Sequence, residues 1–217
     1  MFFLDLLFPN RCLECNRIIP AAELVCGNCF AQINFSHHDF TQSNILKEKC
    51  KLLFPVENAF ALMVFEEESV SRKIIHQLKY GSREKVGGVM AKWVIENLDF
   101  HGDRPHLLVT VPLHPKKEKE RGYNQLHLFG DTLSEEWEIP CDHSLIRRNF
   151  YKKAQAKKNK EKRVEIENLF SLTNHISGKH ILLIDDVFTT GNTMSSLAWE
   201  ILKNPDNKVS VLVMALD

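Results

Sequence analysis

The sequence predicts an α/β fold, in which a mostly parallel sheet carries helices on both faces, together with a small N-terminal module rich in cysteine. Short, wholly apolar runs such as residues 107–111 and 181–184 are typical of strands buried on both faces. Segments with helical spacing, such as residues 70–80, alternate with these runs along the chain. The N-terminal module follows from four cysteines within the first 30 residues.

The elements and domains follow in chain order. Strands are predicted over residues 59–65, 107–111, 181–184 and 209–215, and helices over 70–80, 85–98, 123–137 and 194–203. Residues 1–35 are predicted to form the cysteine module, 36–51 a polar, irregular connector, and 52–217 the main domain. In such a sheet, ligands bind beyond the carboxyl ends of the strands.

Composition sets limits on location and partners. Of 217 residues, 44% are hydrophobic, and 28 basic residues balance 28 acidic ones, so net charge neither favours nor excludes a nucleic-acid partner. The N-terminal stretch 2–8 is apolar, and its lack of basic residues favours packing on the main domain over a membrane-surface helix. No secretory signal and no membrane-spanning run is recognisable, which predicts a cytoplasmic protein.

Two CxxC pairs predict a structural zinc site. They are separated by ten residues and together supply four thiolates: Cys12, Cys15, Cys26 and Cys29. This spacing can close a tetrahedral Zn²⁺ site, which leaves no open position for catalysis. Disulfides or unrelated thiols are the alternative, and a cytoplasmic setting disfavours disulfides.

The run HILLIDDVFTTGNTM at residues 180–194 is the strongest candidate for a ligand site. An apolar strand leads into Asp185 and Asp186, then into a turn rich in hydroxyl groups and a helix N-terminus. N–H groups of such a turn can hold a phosphate, while the acids face sugar hydroxyls. The alternative is an ordinary helix cap or solvated turn. The pattern resembles the phosphoribosyl pyrophosphate (PRPP) loop of type I phosphoribosyltransferases. That resemblance implies that the two acids hold ribose hydroxyls and that the 5′-phosphate lies against Phe188, Thr189, Thr190, Gly191, Asn192 and Thr193.

A second loop, PLHPKKEKERGYNQ at residues 112–125, follows another predicted strand and carries cations suited to a pyrophosphate. With the paired CxxC motifs, the LKYG motif at 78–81 and the acidic run, it makes the chain similar to the ComF family of competence-associated, phosphoribosyltransferase-like proteins. The resemblance implies a type I phosphoribosyltransferase-like fold, PRPP bound with Mg²⁺, and a pyrophosphate loop comprising Val111, Pro112, Leu113, His114, Lys116 and Lys117, with Arg121 opening the next helix. It also implies a basic loop near the ligand that contains Gln155, Lys157, Lys158 and Arg163.

Two functions remain open at this point. Residues 147–163 hold nine Lys/Arg against one acid and include two aromatic rings, so they can bind single-stranded DNA or close over PRPP. The family resemblance implies a role in DNA uptake and natural transformation, with other DNA-uptake proteins as possible partners. The alternative is an active phosphoribosyltransferase with an unidentified nitrogenous acceptor. Thr189 stands where 6-oxopurine enzymes carry a catalytic aspartate, which disfavours that subclass.

Overall fold

A computed structural model describes residues 8–80, 85–114, 118–120, 122–149 and 169–217. Its helices are α1 (Gly27–Phe30), α2 (Ile45–Lys51), α3 (Val70–Tyr80), α4 (Lys85–Asn97), α5 (His127–Trp137) and α6 (Asn192–Leu202). Its strands are β1 (Ala59–Val64), β2 (Leu107–Thr110), β3 (Cys141–Asp142), β4 (Ile146–Arg148), β5 (Phe170–Leu172), β6 (His180–Phe188) and β7 (Lys208–Leu216). None of the helices in these ranges is both long and apolar enough to cross a membrane.

The main sheet has five parallel strands in the order β1-β7-β6-β2-β3, which confirms the predicted α/β class. The chain moves from β2 outward to β3, and from β6 in the opposite direction to β7. Because parallel crossovers are right-handed, α5 and α6 lie on opposite faces of the sheet. Helix α4 packs against α5, whereas α6 contacts β6 and β7. The strand order therefore reverses between β6 and β2, where open α/β sheets bind ligands.

Strand β6 is longer than its apolar run predicts. It continues through the two acids to Phe188, because Asp185 pairs with Val213 and Phe188 with Leu216 of β7. Helix α6 correspondingly begins at Asn192, two residues before the predicted start. The turn between them is reduced to residues 189–191. Pairing with a long neighbouring strand has overridden the local polarity of the acids.

The region 36–51, predicted to be irregular, contains helix α2. Asn44 caps it by accepting a hydrogen bond from the Lys47 N–H at 2.9 Å. Leu46 and Cys50, four residues apart, form one buried face. A short amphipathic helix with only two apolar contacts leaves a weak pattern in the sequence. The division of the chain at residues 35 and 51 stays a prediction.

The cysteine module packs on the main domain through α3 and α4. Trp93 of α4 stacks against Phe30 and Phe35, with ring centroids 5.3 and 6.0 Å apart. Lys73 of α3 forms an ion pair at 2.6 Å with Glu14, which lies between the first two cysteines of the sequence. The module is therefore attached to the helices that precede β2.

A two-stranded antiparallel ribbon, β4 with β5, was not predicted from the sequence. Its strands are only three residues long. Arg148 of β4 lies over the ring of Phe170, 5.4 Å from the centroid. The predicted basic-loop residues fall between the two strands and outside the described ranges: Gln155, Lys157, Lys158 and Arg163.

Candidate functional site

The turn after β6 encloses a small polar recess. A cavity of about 50 Å³ is lined by Asp185 and by residues 187–194, so it collects most of the residues predicted to hold the ribose-phosphate. Thr189 and Thr190 are exposed, and Asn192 and Thr193 form the first turn of α6. Phe188 differs from the others because it is buried at the end of the strand and forms the apolar floor of the turn.

Glycine is required at position 191. Its φ of +73° lies in the left-handed region, and a Cβ there would lie 2.5 Å from Leu53 Cδ1 and 2.6 Å from Phe188 Cζ. Leu53 is held in place because the Trp199 indole donates a hydrogen bond to its carbonyl at 3.0 Å. The segment after α2 therefore supports the turn from behind, a contribution that the sequence did not indicate.

The two acids face different surroundings, because neighbouring residues of a strand point to opposite faces. Asp185 lines the recess, whereas Asp186 is buried on the other side of β6. There Asp186 Oδ1 accepts from Lys79 Nζ at 2.9 Å and Asp186 Oδ2 from Gln125 Nε2 at 2.8 Å. Both carboxylate oxygens of Asp186 thus have a donor from another part of the chain.

The surroundings of Asp185 change its pKa. Burial, followed by the adjacent charge of Asp186, raises the pKa of Asp185 to about 8. The Asp186 N–H, which donates to Asp185 Oδ1 at 2.8 Å, and the positive charges of Lys79 and Arg148 oppose this rise. The site therefore holds one carboxyl group that is paired through both oxygens, at Asp186, and one whose pKa is raised by burial, at Asp185.

Two sequence motifs meet at Asp186. Lys79 belongs to the LKYG motif at the end of α3, and Gln125 to the RGYNQ motif before α5. The motifs are also joined directly, since the Tyr123 hydroxyl donates to the Leu78 carbonyl at 2.7 Å. Both motifs carry the family resemblance, but neither their composition nor their spacing predicts a role for Lys79 or Gln125.

The predicted pyrophosphate loop begins beside the acids. Strand β2 pairs with β6, and the Val111 N–H donates to the Ile184 carbonyl at 2.9 Å. Pro112, Leu113 and His114 follow at the point where the strand order reverses. The cationic residues of this prediction lie outside the described ranges: Lys116, Lys117 and Arg121.

A chain of hydrogen bonds supports the start of this loop. Thr110, the last residue of β2, is buried, and its hydroxyl lies 2.8 Å from His143 Nδ1. His143 Nε2 lies 2.9 Å from Asp131 Oδ1 on α5. Helix α5 approaches closely at Gly130, where a Cβ would lie 2.9 Å from the Cys141 sulfur. These contacts fix the end of β2 against the edge of the sheet.

The four predicted metal ligands converge. The sulfurs of Cys12, Cys15, Cys26 and Cys29 all lie within 4.8 Å of one another. The Cys15 and Cys26 sulfurs are 3.7 Å apart, close to the roughly 3.8 Å between ligands of a tetrahedral site with Zn–S bonds of about 2.3 Å. This separation is too long for a disulfide, so the disulfide alternative is wrong.

The protein environment favours thiolates at part of this cluster. Burial raises the pKa of the Cys12 thiol, but hydrogen bonds from the backbone of Cys15, Cys26 and Glu14 and from the Cys15 side chain together lower it by more, to about 6. Burial and the neighbouring thiols raise the pKa of Cys29 to about 12. A bound divalent cation would compensate the charge of such a crowded set, and the donor set therefore fits structural zinc.

Comparison with known proteins agrees with both halves of this description. Residues 3–40 match the family described as double zinc ribbon domain, and residues 127–215 match the phosphoribosyl transferase domain. The LKYG motif and the loop at 111–121 precede the second matched range.

Three proteins of similar sequence have names that state a role. "Competence protein ComFC" of Bacillus subtilis (strain 168) is 32% identical over 133 residues, which cover 60% of this chain and 53% of that protein. "DNA utilization protein YhgH" of Escherichia coli (strain K12) is 28% identical over 151 residues, covering 64% and 63%. "Competence protein F" of Haemophilus influenzae is 32% identical over 98 residues, covering 43% of each chain.

The matches thus span little more than half of the length of the first two relatives. The two matched domains follow each other in the order that the motifs predict, with the cysteine module first and the acidic loop within the second. These findings agree with the predicted resemblance to the ComF family, because a double zinc ribbon precedes a phosphoribosyltransferase domain and two of the relatives are competence proteins.

Proposed function

We propose that this protein binds PRPP or a related phosphoribosyl ligand at the carboxyl ends of β6 and β2, and that it serves DNA uptake through contact with single-stranded DNA. The observation that supports the ligand best is the position of the acidic loop. Asp185, the turn at Gly191 and the loop at 111–114 all adjoin the reversal of strand order. Phosphate binds at the turn, the ribose at the acids, and the pyrophosphate beside 111–114, where Mg²⁺ would offset its charge.

Isothermal titration calorimetry with PRPP and Mg²⁺ tests this ligand. At about pH 9, where Asp185 is ionised, we expect saturable binding by the wild-type protein and at least about tenfold weaker binding by Asp185→Asn, because a carboxylate accepts a stronger hydrogen bond from a hydroxyl than an amide does. Glu136→Gln, an exposed carboxylate on α5, is the matched control. Absence of PRPP binding to the wild type would refute the proposal, and equal affinities for all three proteins would refute the assignment of the site.

The proposed DNA contact is supported by the positive charge of one segment and by the names of the relatives, which refer to competence and DNA utilization. Residues 147–163 concentrate nine of the 28 basic residues, and only 147–149 of them are described. Arg147 is exposed on the β4–β5 ribbon and Arg148 is partly buried there. A flexible single strand could follow such a charged segment by its phosphates, with Phe150 and Tyr151 available for stacking.

Fluorescence anisotropy with a labelled oligonucleotide tests the DNA contact. Affinity should fall steeply with added salt, and Lys157→Glu with Lys158→Glu should weaken it by about tenfold or more. The control is Lys92→Glu with Lys179→Glu, two exposed lysines that give the same change in net charge elsewhere. If both double variants lose the same affinity, the effect is one of net charge, and the assignment of this segment is wrong.

A second candidate is catalysis, that is, transfer of the phosphoribosyl group to a nitrogenous acceptor. The observation in its favour is Asp185, whose pKa of about 8 lets it exchange a proton near neutral pH at the edge of the recess. Thr189 cannot provide this function. Release of pyrophosphate from PRPP with a panel of nucleobases and amines tests it. Turnover with an acceptor that Asp185→Asn with Asp186→Asn abolishes would support catalysis, whereas no release with any acceptor would oppose it.

A further inference from the structure

Among the described residues, Lys79 is a cation in direct contact with the acid pair. Its Nζ lies 2.9 Å from Asp186 Oδ1, and its side chain is 23% exposed against 11% for Asp186. Both groups are therefore largely withdrawn from water. At this depth an ion pair is a stronger constraint than the exposed ion pairs elsewhere on the surface, such as Lys51 with Glu48.

The backbone around Lys79 is also fixed. It lies in the last turn of α3, where exposed carbonyl groups favour a cation. The neighbouring Leu78 carbonyl accepts from Tyr123, and Gln125, two residues further along, donates to the other oxygen of Asp186. The segments around Lys79 and Gln125, far apart in sequence from each other and from Asp186, thus each make one directed contact with the Asp186 carboxylate. This is more than charge neutralisation requires, because it also fixes the orientation of the carboxylate.

We propose that Lys79 is a positioning residue of the phosphoribosyl site, holding the Asp186 carboxylate in a single orientation beside Asp185. The proposal rests on the PRPP-type site proposed above and extends it to helix α3. It also gives the LKYG motif a function. Without Lys79, the buried carboxylate of Asp186 would lose this counter-charge and, within the part of the chain that the structure describes, would keep Gln125 as its side-chain donor, so the acid pair would no longer be preorganised for the ribose.

Helix α3 also carries the attachment of the zinc module. Lys73 pairs with Glu14, and Lys85 at the start of α4 donates to Asn10 at 2.9 Å. Lys73 provides a matched control for Lys79, because it forms an ion pair of the same kind on the same helix, remote from the acids.

The experiment measures PRPP–Mg²⁺ affinity by calorimetry in Lys79→Met, Lys79→Arg, Lys73→Met, Asp186→Asn and Lys79→Met with Asp186→Asn. We expect Lys79→Met to weaken binding by about tenfold or more, as does loss of one partner of a buried charge pair. Lys79→Arg should restore most of the affinity, and Lys73→Met should bind like the wild type. In the Asp186→Asn background, Lys79→Met should add less than about a threefold loss, because its effect passes through Asp186.

The pH profile separates positioning from a general loss of structure. Among the described residues, the charged groups that act electrostatically on Asp185 are Asp186 beside it, Lys79 from α3 and Arg148 from β4. A ribose hydroxyl is bound best by the ionised carboxylate, so PRPP affinity should rise with pH as Asp185 loses its proton. Lys79→Met removes a cation that favours ionisation and should move the midpoint of this rise to higher pH. Loss of structure alone would lower affinity at every pH without moving the midpoint.

Each outcome bears on a distinct claim. Wild-type affinity in Lys79→Met, or a full loss from Lys79→Met in the Asp186→Asn background, would overturn the positioning role; the latter would indicate direct contact with PRPP. If Lys79→Met proves unstable, Lys79→Gln is measured instead. If the wild type does not bind PRPP, both the proposed function and the role of Lys79 are overturned. If the wild type and all Lys79 variants bind PRPP with the same affinity, the role of Lys79 alone is overturned.

Discussion

Replacing Asp185 by asparagine is expected to stabilise the protein at alkaline pH while weakening its proposed ligand site. Burial and the adjacent Asp186 raise the pKa of Asp185 to about 8, from an ordinary value of 3.8. Between these values the native state keeps a proton that the unfolded chain releases. The stability that this proton contributes is complete below pH 3.8 and is lost as pH rises through 8.

The magnitude follows from the same shift. From pH 6 to pH 8.5 the native carboxyl loses its proton. This lowers the free energy of unfolding by roughly 2.5 kcal/mol, at about 1.4 kcal/mol per pH unit. Asp185 is partly accessible to solvent, which screens some of this energy, so we expect about 1–2 kcal/mol. Asparagine stays neutral at both pH values, and its side-chain oxygen can still accept from the Asp186 N–H.

Thermal unfolding of the wild type, Asp185→Asn and Glu136→Gln at pH 6 and pH 8.5 measures this effect. The variant should already unfold at a higher temperature than the wild type at pH 6, and this difference should grow by roughly 2–8 °C at pH 8.5, because the wild type loses stability between its unfolded and native pKa values. Glu136→Gln, in an exposed position, should show no such difference. Equal pH dependence of Asp185→Asn and the wild type, or a less stable variant at pH 8.5, would refute the electrostatic account of the acid pair.

Three further predictions concern zinc, the turn after β6 and the remaining thiols. Elemental analysis should find about one zinc per chain, and Cys26→Ser or a chelator should lower both the zinc content and the unfolding temperature, because the module depends on the metal; unchanged stability after zinc removal would contradict this. Gly191→Ala should destabilise the protein by more than Gly178→Ala, since both have positive φ but only the former meets side chains within 4 Å. Equal losses of unfolding free energy in the two variants would show that the crowding at Gly191 is unimportant. Cys50 and Cys141, whose thiol pKa values burial raises to about 12, should react with a thiol reagent at pH 8 only after unfolding, and fast labelling of either in the native protein would contradict their burial.

Much of the site was predictable because its signals are local. The two CxxC pairs specify four metal ligands through their spacing alone, and the zinc cluster contains all four. The alternation of apolar strands and helices likewise specifies a parallel sheet, whose carboxyl ends bear the acids and the turn at Gly191. Strand ends were less predictable: β6 extends past Asp185 because β7 pairs with it, and no residue near Asp185 encodes that partner.

Residue type and short spacing are enough to identify the residues that are chemically suited to metal and phosphoribosyl binding. The tertiary structure, in contrast, places the two acids in different surroundings. It brings Lys79 and Gln125, 107 and 61 positions before Asp186, onto one carboxylate and leaves Asp185 facing the recess. It also sets Leu53 behind Gly191. Such contacts depend on how the helices cross the sheet. The periodicity of neighbouring residues cannot predict them, because it contains no information on which distant side chains come into contact.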